Sequence, residues 1–254
     1  MKKNNFILWI GAFVLTFLTL YITNLFSDEY PVTGTIGIDG KKVSYRFEKV
    51  HHINSSLEII IRSDVDSLSG RIFWRLSNNR QNWNVIELND SSGNLKAIIP
   101  NQKPLDKIEY YAELIHKDNK YLVPDNKKVS LMFYGKISPM LKVLQFMLLY
   151  IGLFLSVRTG LEYFNDSEKS KKFVVLTGIV FLTLTLLINP LYLTYKFGYM
   201  NHNIPAIANL FPIGFMLITL LWIVTAIILF NKKEWKITSL LSVLASIIIY
   251  ILLL

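Results

Sequence analysis

The sequence predicts a mixed fold: an all-β immunoglobulin-like sandwich inserted between one N-terminal and four C-terminal transmembrane α-helices. Five apolar runs near the two ends of the 254-residue chain are each long enough to form a helix across a bilayer. A more polar segment of about 110 residues separates the first run from the second, a normal length for one domain. Within that stretch apolar and polar residues alternate, as they do in β-strands.

The first apolar run, Phe6 to Phe26, contains no charged residue. As a helix it would be roughly 30 Å long, which matches the hydrocarbon core of a bilayer. A cleaved signal peptide is the alternative, because Lys2 and Lys3 precede the run. The run is longer than most signal-peptide cores and no A-x-A cleavage site follows it, so residues 1–27 are predicted to be an uncleaved N-terminal anchor.

The region 138–254 is predicted to be a four-helix transmembrane domain. Its apolar runs lie at about 139–157, 173–193, 207–230 and 237–254. These runs contain no histidine, aspartate or glutamate, so neither a haem held by two membrane histidines nor a carboxylate proton relay has a carrier, and we expect no cofactor. The mild polar residues of these runs are expected to form hydrogen bonds between helices: Gln145, Thr183, Thr185, Asn189 and Asn209.

Charge is distributed unevenly along the chain. The segments 1–5, 158–172 and 231–236 together hold 9 basic and 4 acidic residues, whereas 27–138 holds 16 basic and 14 acidic. Five helices would place the three basic segments on one side, which the positive-inside rule makes the cytoplasm. We therefore expect a multi-pass protein of the bacterial inner membrane, with a cytoplasmic N-terminus and an extracytoplasmic β-domain and C-terminus. Its expected partners are the lipid bilayer and other membrane subunits, and no nucleic acid.

The region 28–137 is predicted to form the extracytoplasmic domain from eight or nine short strands. Val43, Tyr45 and Phe47 alternate with polar residues and so share one strand face. Asp39-Gly40 lies between this strand and the preceding one, a pattern typical of a type I′ hairpin. Many short antiparallel strands in about 105 residues are typical of an immunoglobulin-like sandwich.

In such a sandwich we expect Trp74 to be a central core residue on the same face as Ile72 and Leu76. One tyrosine of the Tyr110-Tyr111 pair is expected at a corner. The chain has no cysteine, so an exported domain has to rely on this core without disulfides.

Trp83 is the residue of the β-domain that we single out for ligand contact, as a stacking platform for a sugar. Packing at the edge of the sandwich is the alternative. We predict no metal site. His51 and His52 lack a third ligand at a recognisable spacing, and Asp64 and Asp66 supply too few oxygens for calcium.

Arg158 and Glu162 follow the second membrane helix. They are four residues apart and therefore share one helical face, where they can pair. We expect an interfacial ion pair at the cytoplasmic end of that helix, of the kind that contributes little to stability.

The loop at about 194–206 lies between two helices that contain prolines, Pro190 and Pro212. Its aromatic and polar residues form a candidate binding or docking surface: Tyr195, Phe197, Gly198, Asn201, His202 and Asn203. The alternative is a loop that simply packs under the sandwich.

Three short motifs recur in a group of bacterial membrane proteins. They are a Gly-x-x-x-Pro junction at Gly135 and Pro139, Arg-x-Gly-Leu-Glu at 158–162, and Tyr-x-Phe-Gly at 195–198. The sequence resembles this uncharacterised group, whose members have an N-terminal anchor helix, an early-set or immunoglobulin-like domain and a four-helix C-terminal part. Where those proteins continue with an acidic run, this sequence has YMNHNIPAIANLFPIG. The resemblance implies the architecture and no activity.

Only Gly135–Ser138 separates the last predicted strand from the next helix. A domain tied to the membrane at both ends would be held close to the outer face. We therefore predict a non-enzymatic scaffold, accessory subunit or assembly factor of a membrane protein complex, since no nucleophile–base pair, metal cluster or phosphate loop is visible. The alternative is a ligand-binding sensor or transport accessory protein that takes a glycan or a lipid.

The predicted topology can be tested with single cysteines in this cysteine-free chain. An impermeant thiol reagent added to spheroplasts should label Asn94→Cys and leave Asn4→Cys and Asn165→Cys unlabelled until the membrane is permeabilised. The reason is that only Asn94 lies in the segment predicted to be outside. Labelling of Asn165→Cys in intact spheroplasts would show that the topology is wrong.

Overall fold

A computed structural model describes residues 2–25, 29–78, 82–91, 93–117, 119–125, 127–164, 170–199, 207–231 and 235–253. The chain divides into two compact units. A helical unit comprises Met1–Phe26, Ile137–Tyr195 and Tyr199–Leu254, and a β unit comprises Ser27–Lys136 together with Lys196–Gly198. The protein is therefore of mixed class, with two β-sheets and several long apolar helices.

Eleven strands form the described part of the β unit, against the eight or nine that the sequence predicted. In chain order they are β1 (Val32–Ile38), β2 (Lys41–Phe47), β3 (Val50–His52), β4 (Leu57–Ser63), β5 (Ser69–Leu76), β6 (Asn84–Glu87), β7 (Asn89–Ser91), β8 (Asn94–Ile99), β9 (Lys107–His116), β10 (Asn119–Val123) and β11 (Val129–Tyr134). One sheet has the order β1-β2-β4-β8-β7 and the other β3-β11-β9-β5-β6, with β10 also paired to β9. Neighbours are antiparallel except β3 and β11, which are parallel.

The β1–β2 hairpin forms as predicted. Ile38 faces Lys41 across a two-residue turn. Both turn residues, Asp39 and Gly40, have positive φ, at 49° and 75°. Type I′ turns require this conformation, and they match the twist of the two strands that they join.

The two sheets share one hydrophobic core. Alternate residues of β9 point into it, and Ile108, Tyr110, Ala112 and Leu114 are fully buried. The hydroxyl of Tyr110 donates a hydrogen bond of 2.7 Å to the backbone carbonyl of Glu48, 62 residues earlier. Burial raises the pKa of Tyr110 well above its ordinary value. This tyrosine therefore differs from the predicted corner residue, whose partner would lie a few residues upstream.

Trp74 differs from its predicted place at the centre of the core. It is only partly buried, whereas Ile72 on the same strand face is fully buried. Tyr110 is the cross-strand partner of Trp74 and fills the position next to it. Because neighbouring side chains on one face compete for the same volume, the larger indole ring lies at the margin of the core.

The helical unit consists of seven α-helices in the described residues: α1 (Lys2–Leu25), α2 (Pro139–Leu161), α3 (Ser170–Thr183), α4 (Asn189–Lys196), α5 (Ile207–Leu210), α6 (Ile213–Asn231) and α7 (Trp235–Leu253). A 3₁₀ turn, Glu162–Phe164, extends α2, and a π-helical segment, Leu184–Ile188, joins α3 to α4. Four continuous helical stretches are long and apolar enough to cross a membrane, which indicates membrane association: Asn5–Leu25, Pro139–Phe164, Lys171–Lys196 and Ile213–Asn231. The fifth predicted span corresponds to a shorter apolar helix, Ile237–Leu252.

Prolines divide two of the predicted apolar runs. The π-helical segment comes just before Asn189-Pro190, where proline has no N–H to donate and its ring crowds the preceding turn. The run predicted at 207–230 breaks before Pro212, and α6 begins at Ile213 with a backbone hydrogen bond from Met216 to the Pro212 carbonyl. Pro212 thus starts the long helix, because the first turn of a helix needs no proline N–H.

Truncation of core residues should separate buried from marginal positions. Replacing the fully buried Phe133 by alanine should lower the free energy of unfolding by about 3–5 kcal/mol. Trp74→Ala should cost less, because its ring is partly solvated. Urea unfolding of the full chain in detergent, followed by the β-sheet circular dichroism signal, measures both against Val85→Ala at an exposed position. Equal losses for Trp74→Ala and Phe133→Ala would contradict the assignment.

Candidate functional site

Arg158 and Glu162 form an ion pair inside the helical unit. Their nearest side-chain atoms, Nη2 and Oε1, are 2.5 Å apart, and each side chain is only 1% exposed. The sequence predicted an interfacial ion pair that contributes little to stability. The pair is buried because α2 continues past residue 157, so that Arg158 lies in its last turn and Glu162 in the 3₁₀ turn that follows.

The Arg158 guanidinium is enclosed by residues of α1 and α3. Its Nη2 donates a hydrogen bond of 2.6 Å to Oδ1 of Asn5. Its Cζ lies 5.0 Å from the ring centre of Trp9 and 5.2 Å from that of Phe173, within the range of cation–π contacts. Its Nε and Nη1 have no hydrogen-bond partner among the described residues. Asn5, Trp9 and Phe173 carry no spacing pattern that could have revealed them in the sequence.

Gly160 lies between the two charged residues and allows α7 to approach α2. A Cβ atom at this position would lie 2.6 Å from Cγ2 of Val243, closer than real Cβ contacts. Any side chain at residue 160 would therefore push the two helices apart. The Arg-x-Gly-Leu-Glu motif thus combines a buried charge pair with a close helix contact.

Polar side chains elsewhere in the helical unit are joined across helices, as the sequence predicted for Gln145, Thr185 and Asn189. Four pairs carry these hydrogen bonds: Gln145–Asn189 at 3.5 Å, Thr185–Thr219 at 2.8 Å, Trp222–Ser246 at 3.0 Å and Thr225–Ser242 at 2.6 Å. Such pairs satisfy groups that hydrocarbon cannot. These interhelical hydrogen bonds give most of the mild polar residues of the helical unit a structural role.

The tripeptide Lys196–Gly198 comes from the loop between two apolar helices and yet belongs to the β unit. The backbone N–H of Gly135 donates a 2.7 Å hydrogen bond to the Lys196 carbonyl. The Lys196 ammonium lies 3.2 Å from the Glu29 carboxylate and 4.2 Å from the ring centre of Tyr134. Burial raises the pKa of Tyr134, and the charge of Glu29 adds to this shift.

The structure uses two residues of the predicted loop surface for packing in the β unit. The ring of Phe197 is 6.2 Å from that of Tyr134. Gly198 has φ of 71°, and a Cβ there would lie 2.6 Å from Pro104. Tyr195 lies in the last turn of α4 and is partly buried. The remaining three, Asn201, His202 and Asn203, lie outside the described residues.

Trp83 stands just before β6 and is partly buried. Its ring meets Tyr111 edge-on at 5.1 Å, and Cζ of Arg75 lies 4.5 Å from its centre. The same ring lines a pocket of about 330 Å³, together with Tyr111, Leu122, Pro124, Lys127 and Lys128. Trp83 therefore both packs at the sheet and faces open space, so the two predicted roles are compatible.

The pocket beside Trp83 carries an excess of positive charge. Arg75 donates from Nε and Nη2 to the Glu109 carboxylate, at 3.0 and 2.7 Å, so its charge is compensated. No carboxylate of the described residues lies within ion-pair distance of Lys127 or Lys128. Burial raises the pKa of Tyr111 above its ordinary value, and the charge of Glu113 adds to this shift.

Two of the residues considered as metal ligands, His51 and Asp66, have other contacts. Nε2 of His51 is 2.8 Å from the Ser55 carbonyl oxygen, and Asp66 pairs with Lys41 at 2.6 Å. In the part of the chain that the structure describes, no group of three or more His, Asp or Glu side chains could hold a metal ion.

Comparison with known proteins gives little. No protein-family model matches the sequence, and no curated protein matches it significantly. The chain is similar to a solved structure titled "Crystal structure of Br derivative BhCBM56", with 11% identity and a TM-score of 0.26 over 42% of this chain and 95% of that one. A likeness of this size bears on neither fold nor function.

The buried ion pair can be tested by breaking and by replacing it. Arg158→Gln or Glu162→Gln should each destabilise the helical unit by about 3–5 kcal/mol, because one buried charge loses its partner. The double variant Arg158→Met/Glu162→Leu should recover most of this loss, since no uncompensated charge remains.

Thermal unfolding in detergent measures all three variants. Lys142→Gln, which removes an exposed charge from the same helix, serves as the control. Single variants as stable as this control would refute the assignment, and so would a double variant less stable than both singles.

Proposed function

We propose that this chain is a non-enzymatic scaffold or accessory subunit of a membrane protein complex in the bacterial inner membrane. The observation that carries the proposal is the membership of Lys196–Gly198 in the β unit. The polypeptide therefore passes between the two units at four chain positions, after residues 26, 136, 195 and 198, whereas the sequence alone predicted two.

A β unit connected at four chain positions has less freedom than one on a flexible linker. Association costs free energy because groups lose motion, and preorganisation lowers that cost. This benefits a protein that presents a fixed surface to a permanent partner. An independent ligand-binding module gains less from it, because such a module works equally well on a long linker.

The finer structural expectations belong to the same proposal. We assign the two sheets to an immunoglobulin-like sandwich, which their antiparallel pairing and shared core support. We place the N-terminus in the cytoplasm and the β unit outside, supported by the basic segments 1–5, 158–172 and 231–236. The resemblance to the uncharacterised group with an early-set domain and four C-terminal helices supports the same arrangement.

A second function, that of a ligand-binding sensor or transport accessory protein, is favoured by one observation. The pocket beside Trp83 offers two aromatic rings and two lysines without a described ion-pair partner. A stoichiometric protein partner after mild detergent extraction supports the scaffold, whereas a monomer that retains a glycan supports the sensor.

The scaffold proposal predicts that loosening the connections releases the partner. The test protein carries a flexible eight-residue Gly/Ser insertion after Lys136, which allows roughly 15 Å of separation, and Gly198→Val, which clashes with Pro104. Recovery of the partner in a native pull-down should fall at least about tenfold, because the β unit is less preorganised once its chain connections are loosened.

The same insertion placed after Ser167 lengthens the chain without altering any of these four connections, and it should leave recovery unchanged. Unfolding of the β unit, measured in parallel, shows whether the domain is intact. Full recovery of the partner by the loosened protein, or no stoichiometric partner for the unaltered chain, would overturn the proposal.

A further inference from the structure

The pocket beside Trp83 is not used by the proposed scaffold function. Trp83 and Tyr111 form one corner of it, with an interplanar angle of 75°, and Lys127 and Lys128 lie on its rim. We propose that this pocket binds an acidic saccharide, that is, a sugar chain whose rings carry carboxylates. The inference does not rest on the scaffold function and can fail without it.

The aromatic corner is held in place before any ligand arrives. Phe73 stacks on Tyr111 at 5.0 Å with the two planes only 5° apart. Arg75 contacts the ring of Trp83 without lining the pocket, and its two hydrogen bonds to Oε2 of Glu109 fix its position. Because neighbouring side chains hold both rings in place, the rings would lose little conformational entropy when a ligand stacks on them. The apolar C–H face of a sugar ring matches such a surface.

The charge of the pocket selects the ligand class. Glu113, the other carboxylate near Tyr111, is paired with Lys120 at 3.3 Å, as Glu109 is with Arg75. Lys127 and Lys128 are exposed and contribute the uncompensated charge. The Lys128 ammonium is 5.1 Å from the Trp83 ring centre, so a carboxylate on a ring stacked there would lie within its reach. Positive potential of this kind attracts and orients anions.

The lining disfavours other ligands of similar size. An apolar molecule would desolvate the lysines and the Tyr111 hydroxyl without pairing them, which is unfavourable. A neutral sugar would stack on the indole and could accept hydrogen bonds from the lysines, but it carries no negative charge to pair with the two ammonium groups. The volume of about 330 Å³ is at the lower end of small-molecule sites, roughly 300–1,000 Å³, and suits a short stretch of a chain.

The experiment uses the full chain in detergent micelles and isothermal titration calorimetry. The probe is trigalacturonic acid, with maltotriose as the neutral trisaccharide and naphthalene sulfonate as the aromatic anion. We expect trigalacturonic acid to bind at least about tenfold more tightly than either. Its affinity should fall as salt is added, because exposed charges are screened.

Two variants test the residues. Trp83→Ala should lower the affinity for trigalacturonic acid at least about tenfold, and Lys127→Gln/Lys128→Gln should do the same and remove most of the salt dependence. Lys42→Gln/Lys103→Gln makes the same charge change away from the pocket and should keep the affinity within about twofold. If Trp83→Ala unfolds the β unit, the variant with both lysines replaced still tests the proposal, because the two lysine side chains are exposed and their replacement should leave the fold intact.

Three results would overturn the inference. One is no binding of trigalacturonic acid. Another is equal affinity for trigalacturonic acid and maltotriose, or tighter binding of naphthalene sulfonate. The third is trigalacturonic acid binding that the lysine variants leave unchanged.

Discussion

The contacts of Lys196 are the constraint that incorporates a distant stretch of the chain into the β unit. Its carbonyl accepts a hydrogen bond from Gly135, at the end of the β unit, and its ammonium pairs with Glu29, at the beginning. Lys196, the last residue of α4, thus contacts both ends of the β unit. Gly198 completes the arrangement, because only a residue without Cβ fits against Pro104 with positive φ.

In the helical unit, charged and polar side chains are buried among apolar helices. A lone arginine or glutamate there would be strongly unfavourable, and mutual pairing offsets much of that cost. Arg158 gains two aromatic faces and one amide oxygen besides its carboxylate, so α1, α2 and α3 all contribute to one cluster. Hydrogen bonds between uncharged side chains of α6 and its neighbours satisfy buried polar groups in the same way.

The β unit combines an apolar core with an outer face that carries aromatic rings and lysines. Tyr110 is turned inward and bonds to the backbone of the connection after β2, so it joins the two sheets. Its chain neighbour Tyr111 is turned outward and backs the pocket beside Trp83. The alternation of side chains along β9 thus assigns one tyrosine to stability and the next to the proposed site.

Local pattern by itself determined the architecture of this protein. Apolar runs and strand alternation predicted the long helices and the β unit, and Asp39-Gly40 predicted the first hairpin, because each of these signals is contained within a few consecutive residues. Only the tertiary structure decided which residues meet. Arg158 finds Asn5 across 153 positions, Lys196 finds Glu29 across 167 and Tyr110 finds Glu48 across 62. No local period links such partners, so the burial of the ion pair, the marginal place of Trp74 and the lysines beside Trp83 followed only from packing.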